Sequence, residues 1–351
     1  MKWIFTLALV VACNKADEAT DSGGDTEDPL SWAVDAPGPY NVGFQLWPLT
    51  YEPIPGEPRT IVVNFWYPTD ETEGDELKYA DIAPAVGTLG NAAPAASAHT
   101  DGYPVLAYSH GDRAYGGTSF DLMIWFASHG WLAVAPDHTD NLLIENVDHS
   151  PPAHFAHRAL DVIQSVDSLS TLDDFDGVDT SSWLLSGHSR GATTVWTLAG
   201  ATYDPTSTDT WCPGCSDTEI ALFSSLGDDR VVGAIPMAGT IRRSYFGAGG
   251  HQSVSAPVLA MTGTVDQVGQ QEQFDEMDAV DFTWIDLEGG CHQTFALGGC
   301  GTLDVADGYR MIDTYALAMG RHLMLGDDSD NTVGILDGSI EVDSRVSYQQ
   351  K

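Results

Sequence analysis

The sequence is poor in cationic side chains. Lysine occurs four times, and Lys and Arg together number 14 against 51 Asp and Glu, a formal net charge of −37 over 351 residues. A surface of that sign repels phosphate backbones and anionic lipid headgroups, so nucleic acid and a charged membrane face are excluded as partners. Asp supplies 38 of the acids and Glu 13, a balance that fits either plain solubility or a saline habitat in which ions screen the self-repulsion. Long apolar runs are lacking too: the stretch Trp3 to Ala12 has ten residues, half of the roughly 20 that a helix needs to cross a bilayer. No internal repeat is visible, and no Pro- or Gly-rich linker divides residues 36–325, which points to one domain there. With 43% hydrophobic residues the chain can build a sizeable core, and disorder throughout is excluded.

Residues 1–12 read as a signal peptide, with Lys2 ahead of the apolar stretch and a small residue, Ala12, directly before Cys13. The run VVAC resembles a bacterial lipobox, with Val10 where Leu is commonest. It implies lipidation of Cys13 and a cell-envelope lipoprotein; plain secretion is the other reading. Residues 13–35 read as an acidic, flexible tether: Asn14 to Asp28 holds six acidic residues and no aromatic one. Four cysteines remain, Cys212, Cys215, Cys291 and Cys300. An even number in an exported chain favours two disulfides, and of the three possible pairings 212 with 215 and 291 with 300 closes the shortest loops. No His and no second C-x-x-C lies near Cys212-Pro-Gly-Cys215, so a structural bridge is preferred there to a zinc or redox site. The Asp-rich stretches 173–179 and 326–331 lack EF-hand spacing and read as solvated loops; no metal and no cofactor is expected.

Short apolar strands alternate with amphipathic helices along the chain. Strands are predicted at 60–67, 103–108, 131–136, 183–186, 231–238, 257–263 and 282–287. Helices are predicted around Phe120–Ala127, Ala159–Leu169, Gly191–Ala201 and Tyr309–Leu323. This alternation implies an α/β fold with a mostly parallel central sheet and helices on both faces. Thr202 to Asp229 is the longest irregular insertion, expected as a small flap over a site. Residues 326–351 read as a polar C-terminal extension, β-like at Val333 to Leu336.

In an open α/β sheet ligands bind at the carboxyl ends of the strands. There the stretch WLLSGHSRGATTVW presents Ser189 in a G-x-S-x-G motif between a strand and a helix. With 36 Gly and 25 Ser, chance alone yields about a quarter of such a motif, so context decides. Serine needs a general base, itself held by a third group. Asp266 lies three residues past one strand and His292 in the loop after the next, so Ser, Asp and His follow in hydrolase order. A nucleophile (Ser189), a base (His292) and an orienting acid (Asp266) are therefore expected. The oxyanion of acyl transfer needs donors, and the backbone N–H groups of Arg190 and of Asp112, in YSHGDRAYGG, are the candidates. Tyr115 and Trp125 are weaker candidates for the substrate pocket.

The chain resembles the α/β-hydrolase subgroup that holds plasma-type platelet-activating-factor acetylhydrolases, cutinase-type bacterial polyester hydrolases and dienelactone-hydrolase-like proteins. The resemblance covers residues 40–325 and rests on NFWYP (64–68), SHG (109–111), FASHGWLAVAPDHTDN (126–141), GHSRG (187–191), DDRVVGAIPMAG (228–239) and GGCHQTF (289–295). It implies an α/β-hydrolase catalytic domain over residues 36–325, a Ser189–His292–Asp266 triad and oxyanion amides at Arg190 and Asp112. Polyester hydrolases usually carry an aromatic residue where Asp112 stands and Met where Arg190 stands, so the charged pair departs from their pattern. The expectation is an extracytoplasmic monomeric serine esterase acting on small-molecule or polymeric esters, touching a membrane only through its lipid anchor. The competing readings are a polyester depolymerase and a catalytically silent surface-binding lipoprotein.

Overall fold

A computed structural model describes residues 28–145, 151–175, 177–266, 268–278 and 280–351. The signal peptide, Cys13 and most of the expected tether lie outside the described residues. The strands are β1 (Asn41–Ile54), β2 (Glu57–Thr69), β3 (Lys78–Tyr79), β4 (Ala83–Pro84), β5 (Leu89–Gly90), β6 (Val105–Ser109), β7 (Leu132–Asp137), β8 (Trp183–His188), β9 (Val231–Met237), β10 (Val258–Gly263), β11 (Phe282–Leu287) and β12 (Val346–Gln350). The helices are α1 (Phe120–Ser128), α2 (His154–Leu169), α3 (Arg190–Leu198), α4 (Thr208–Trp211), α5 (Asp217–Leu222), α6 (Arg243–Phe246), α7 (Gln270–Glu276), α8 (Val305–Leu325) and α9 (Asp330–Leu336).

Among these residues the main sheet has ten strands in the order β12-β11-β10-β9-β8-β6-β7-β2-β1-β5. From β7 through β6, β8, β9 and β10 to β11 every pairing is parallel; β2 runs antiparallel to β7 and to β1, β12 antiparallel to β11, and the short β5 parallel to β1. The parallel strands are buried on both faces, and side chains alternate between two cores. Val105 and Ala107 of β6 join α2 and α3 through Val162, Val166, Val195 and Trp196. Leu106 and Tyr108 join α1 and α8 through Met123, Phe126, Met311 and Tyr315. Each strand and each helix expected from the sequence is present within a few residues.

Three segments differ from expectation. Val333 to Leu336, read as β-like, is helical: Ser329 caps α9, its side chain accepting the N–H of Thr332, and the helix buries Ile335 against α8. Pro29 to Asp35, placed in the tether, is seated on the body. Val34 is buried, and Arg321 of α8 donates to the carbonyls of Leu30 and Trp32. The insertion 202–229 is not a loose cover, because the rings of Tyr203, Trp211 and Phe223 pack against one another and Tyr203 packs on Phe246. Both disulfides have the local pairing, Cys212 to Cys215 and Cys291 to Cys300. No helix of the described residues is long and apolar enough to cross a membrane.

Candidate active site

Ser189 stands between β8 and α3 at φ 56° and ψ −111°, a conformation that L side chains rarely adopt and that surrounding structure must enforce. Two contacts enforce it. The Ser189 N–H donates to the Met237 carbonyl at the end of β9, 2.9 Å away. On the other side the first turn of α3 lies directly on the end of β6: a Cβ on Gly191 would overlap the carbonyl oxygen of Ser109, so only glycine allows this approach. The turn holds the hydroxyl outward at the carboxyl end of the sheet.

The structure brings the three expected side chains together. The Ser189 Oγ is 2.8 Å from His292 Nε2, and His292 Nδ1 is 2.8 Å from Asp266 Oδ2. A carboxylate accepts, so Nδ1 carries the proton and Nε2 accepts from the serine hydroxyl. His292 sits two-fifths exposed and Asp266 mostly covered, at 39% and 13% of their side-chain surface. The imidazole can thus meet a ligand while its orienting partner stays shielded. His188, buried beneath, donates from Nε2 to the His292 carbonyl at 2.9 Å and fixes that backbone. Burial, with the neighbouring His292 second, lowers the His188 pKa to about 3, so its ring is neutral. The Cys291–Cys300 bridge anchors the same loop.

The loop after β6 runs alongside. A Cβ built on Gly111 would lie 3.5 Å from the Ser189 Cβ. The N–H of His138 donates to His110 Nε2 at 3.0 Å, so that nitrogen is unprotonated. The proton therefore sits on Nδ1, which donates to the Gly111 carbonyl at 2.8 Å. In a trans peptide the C=O and the next N–H point opposite ways, so the Asp112 N–H is turned away from the His110 ring. Arg158, fully buried, holds the preceding peptide by donating to the His110 carbonyl, and it also donates to Asn141 Oδ1 at 2.9 Å. Behind lies a buried polar chain. Ser109 Oγ bonds His138 Nε2, His138 Nδ1 donates to Asp161, and Arg59 donates to both Asp161 oxygens at 2.8 and 2.9 Å. Burial, with Arg158 next, lowers His138 to about 3, so the ring is neutral beside the Asp161 carboxylate.

The side chains of the two candidate donor residues pair with each other. Arg190 Nε is 3.1 Å from Asp112 Oδ1, and Asn141 Nδ2 donates to the same oxygen at 2.8 Å. Arg190 Nη1 also reaches His154 Nε2 at 2.6 Å, and its guanidinium lies over the Phe155 ring. Tyr115 and Trp125 are elsewhere. Tyr115 is buried and stacked on Tyr79. Trp125 faces His129 and lines a cavity with Pro37, Tyr40 and Asn41 that contains none of Ser189, His292 and Asp266. The aromatic residues in contact with the Arg190 side chain and behind it are Phe155 and Tyr245. Sequence reasoning missed them and the Arg158 network. A signal existed: Arg158 and Asp161 interrupt the buried stripe of α2 formed by Phe155, Ala159 and Val162, and charges on an apolar face mark a buried polar network. Among the described residues no group of three or more His, Cys, Asp or Glu is arranged to hold a metal ion.

No protein-family model matches the chain, and no curated protein matches it. Among solved structures it is similar to a ferulic acid esterase from Streptomyces cinnamoneus, with 18% identity and a TM-score of 0.62 over 90% of this chain and 99% of that one. The fold is that of the α/β hydrolases. Ser189 stands at the strand–turn–helix junction of β8 and α3, and Asp266 and His292 follow β10 and β11.

Proposed function

We propose that the protein is a carboxylic ester hydrolase that works through an acyl-serine on Ser189. The observation that carries the reading is the unbroken hydrogen-bonded chain from Ser189 Oγ through the His292 ring to Asp266, on a strained turn at the carboxyl end of the sheet. In the reaction His292 Nε2 takes the hydroxyl proton as Oγ attacks the ester carbonyl, and Asp266 steadies the imidazolium. The N–H groups of Arg190 and Asp112 receive the oxyanion, and the proton passes from His292 to the departing alkoxide. Water then repeats the sequence on the acyl-serine and releases the acid. The esterase activity of the structural neighbour supports the same class.

The Ser189→Ala variant, with its fold checked by circular dichroism, is expected to lose hydrolysis of 4-nitrophenyl butyrate by about 10³-fold or more. Unchanged turnover would sink the reading. Labelling of the wild-type protein by a fluorophosphonate separates an esterase from a silent binding scaffold. A second substrate reading, a polyester surface, is favoured by the apolar side chains on the loops around the site. Leu143, Ile144, Val265 and Leu297 are each more than half exposed, and such a rim suits adsorption to an apolar solid. Release of soluble acid from a polyester film tests it. Export with a lipid anchor at Cys13 remains part of the proposal, and two disulfides suit an oxidising compartment.

A further inference from the structure

The cations of this chain are few, and most are tied to carboxylates. Arg59, Arg230, Arg243, Arg310, Arg321, Arg345 and Lys351 each hold an Asp or Glu. Arg242 is different: it is exposed, and among the described residues no carboxylate stands within 4 Å of it. Its guanidinium lies over the Tyr245 ring, 5.6 Å from the centroid. Tyr245 packs on Phe155 with centroids 5.0 Å apart, and Arg190 covers Phe155 from the other end, again at 5.6 Å. Arg190, next to Ser189, is thus linked to Arg242 by successive contacts through Phe155, which is buried, and Tyr245, which is half-buried. Gly239 brings the far end to the same mouth, because a Cβ there would lie 2.8 Å from the Ser189 carbonyl oxygen, three residues before Arg242. Beyond it a cavity of about 220 Å³ is lined by Thr240, Ile241, Arg242, Glu272 and Gln273.

The two guanidinium groups differ in what they offer. Arg190 is occupied by Asp112 and His154. Arg242, held by a cation–π contact, keeps its planar fork of donors for a carboxylate, which such a fork binds through two parallel hydrogen bonds. The half-buried Tyr245 ring beneath Arg242 favours a flat, apolar body attached to that carboxylate.

We propose that Arg242 and Tyr245, braced through Phe155 and Arg190, form a substrate subsite for an aromatic carboxylate, so that preferred esters carry a free carboxylate besides the scissile ester. This rests on the esterase reading above. It also makes aromatic carboxylates competitive inhibitors. In a molecule of net charge −37 an anionic substrate meets far-field repulsion, and a local cation with open donors is what would overcome it at the site.

The test compares kcat/KM within two matched pairs: monomethyl against dimethyl terephthalate, with the charge on the acyl side, and 4-carboxyphenyl acetate against phenyl acetate, with the charge on the alcohol side. In Arg242→Gln the charged-to-neutral ratio is expected to fall about fivefold or more in one pair, which identifies the side the subsite serves, and further in Arg242→Glu. Lys78→Gln removes one positive charge from an exposed strand elsewhere and should leave both ratios within twofold. Ratios that stay within twofold in Arg242→Gln, or that fall as far in Lys78→Gln, overturn the proposal. Calorimetric titration of benzoate into the full-length Ser189→Ala protein gives a readout without turnover. Binding should weaken about fivefold or more when Arg242→Gln is added, with benzamide as the uncharged control. Absence of benzoate binding, or binding indifferent to Arg242, refutes the subsite even if the esterase reading stands. Benzoate binding through Arg242 without any ester hydrolysis would refute the esterase reading alone.

Discussion

Lowering the pH from 7.5 to 5.5 should remove a large part of the protein's stability, and buried histidines are the reason. Burial holds His138, His154 and His188 at pKa values of about 3, and His129 at about 4, all below the ordinary 6.5. Arg158 beside His138 and Arg190 beside His154 add to the effect. A group with a depressed folded pKa is protonated first in the unfolded chain. The stability it protects is therefore full above about pH 7.5, falls as the pH drops through 6.5, and stops falling only near 3 to 4. Over the two units considered, each histidine contributes a loss of about 1.4 kcal/mol, and the four together about 5 kcal/mol. Asp137 works in the opposite direction. Burial raises its carboxyl to about 6, so the folded state takes up that proton and regains about 0.8 kcal/mol. The net loss of about 4 to 5 kcal/mol is a large share of the roughly 5 to 15 kcal/mol that holds a typical domain folded. Unfolding at pH 5.5 should also take up about three protons. Urea titrations followed by tryptophan fluorescence at both pH values measure the difference. Adding 1 M NaCl shortens the Debye length to about 3 Å, so relief of the −37 self-repulsion does not mask it. Stability at pH 5.5 equal to or above that at pH 7.5 would refute the reasoning.

Two further outcomes follow from the geometry of the elbow. Gly191→Ala should give an insoluble protein or one destabilised by about 3 kcal/mol or more, read as a shift in the urea midpoint, since the added methyl overlaps the Ser109 carbonyl. Replacing Cys291 and Cys300 together by Ser should lower stability by about 3 kcal/mol at most, the loop-entropy value for a span this short. Ester turnover in that variant should fall further than the loss of folded protein explains, because His292 is the next residue in the chain.

The α/β architecture was legible because its evidence is local. β8 and β10 are short apolar runs, and α8 keeps helical spacing from Met311 through Tyr315 and Met319. What escaped notice is held by long-range pairing. β1 carries Pro48 and Pro53, which demote a strand reading, yet it survives near the sheet edge, where missing donors are tolerated. β12 is VSYQQ, short and without an apolar run, and exists because β11 offers it an antiparallel edge from Thr283 to Leu287. The Ser189, Asp266 and His292 positions were readable from order and strand ends. Their hydrogen bonds were not, since residues 103 apart meet only through the sheet. The pocket expectation for Tyr115 and Trp125 illustrates the limit. Both lie near the right loop in sequence, but Tyr115 turns into the core against Tyr79 and Trp125 turns to His129 on another face of α1.

Net charge describes the far field, and the site depends on the near field. The −37 of this chain excludes partners that must approach a broad surface. It says little about the elbow, since Arg113 lies in the loop after β6, Arg158 in α2, Arg190 at the start of α3 and Arg242 just before α6. Their settings divide the work. Arg158 is buried and fixes peptides of the β6 loop. Arg190 is paired to Asp112 and links that loop to α3. Arg113, exposed at φ 50° directly after Asp112, and Arg242 over Tyr245 face solvent. At an ionic strength of 0.15 M the Debye length is about 8 Å, so charges scattered over the remaining surface are largely screened from a ligand seated at Ser189 while these arginines are not. The sign felt by a ligand at Ser189 therefore has to be read from the contacts of individual arginines and carboxylates and not from the composition.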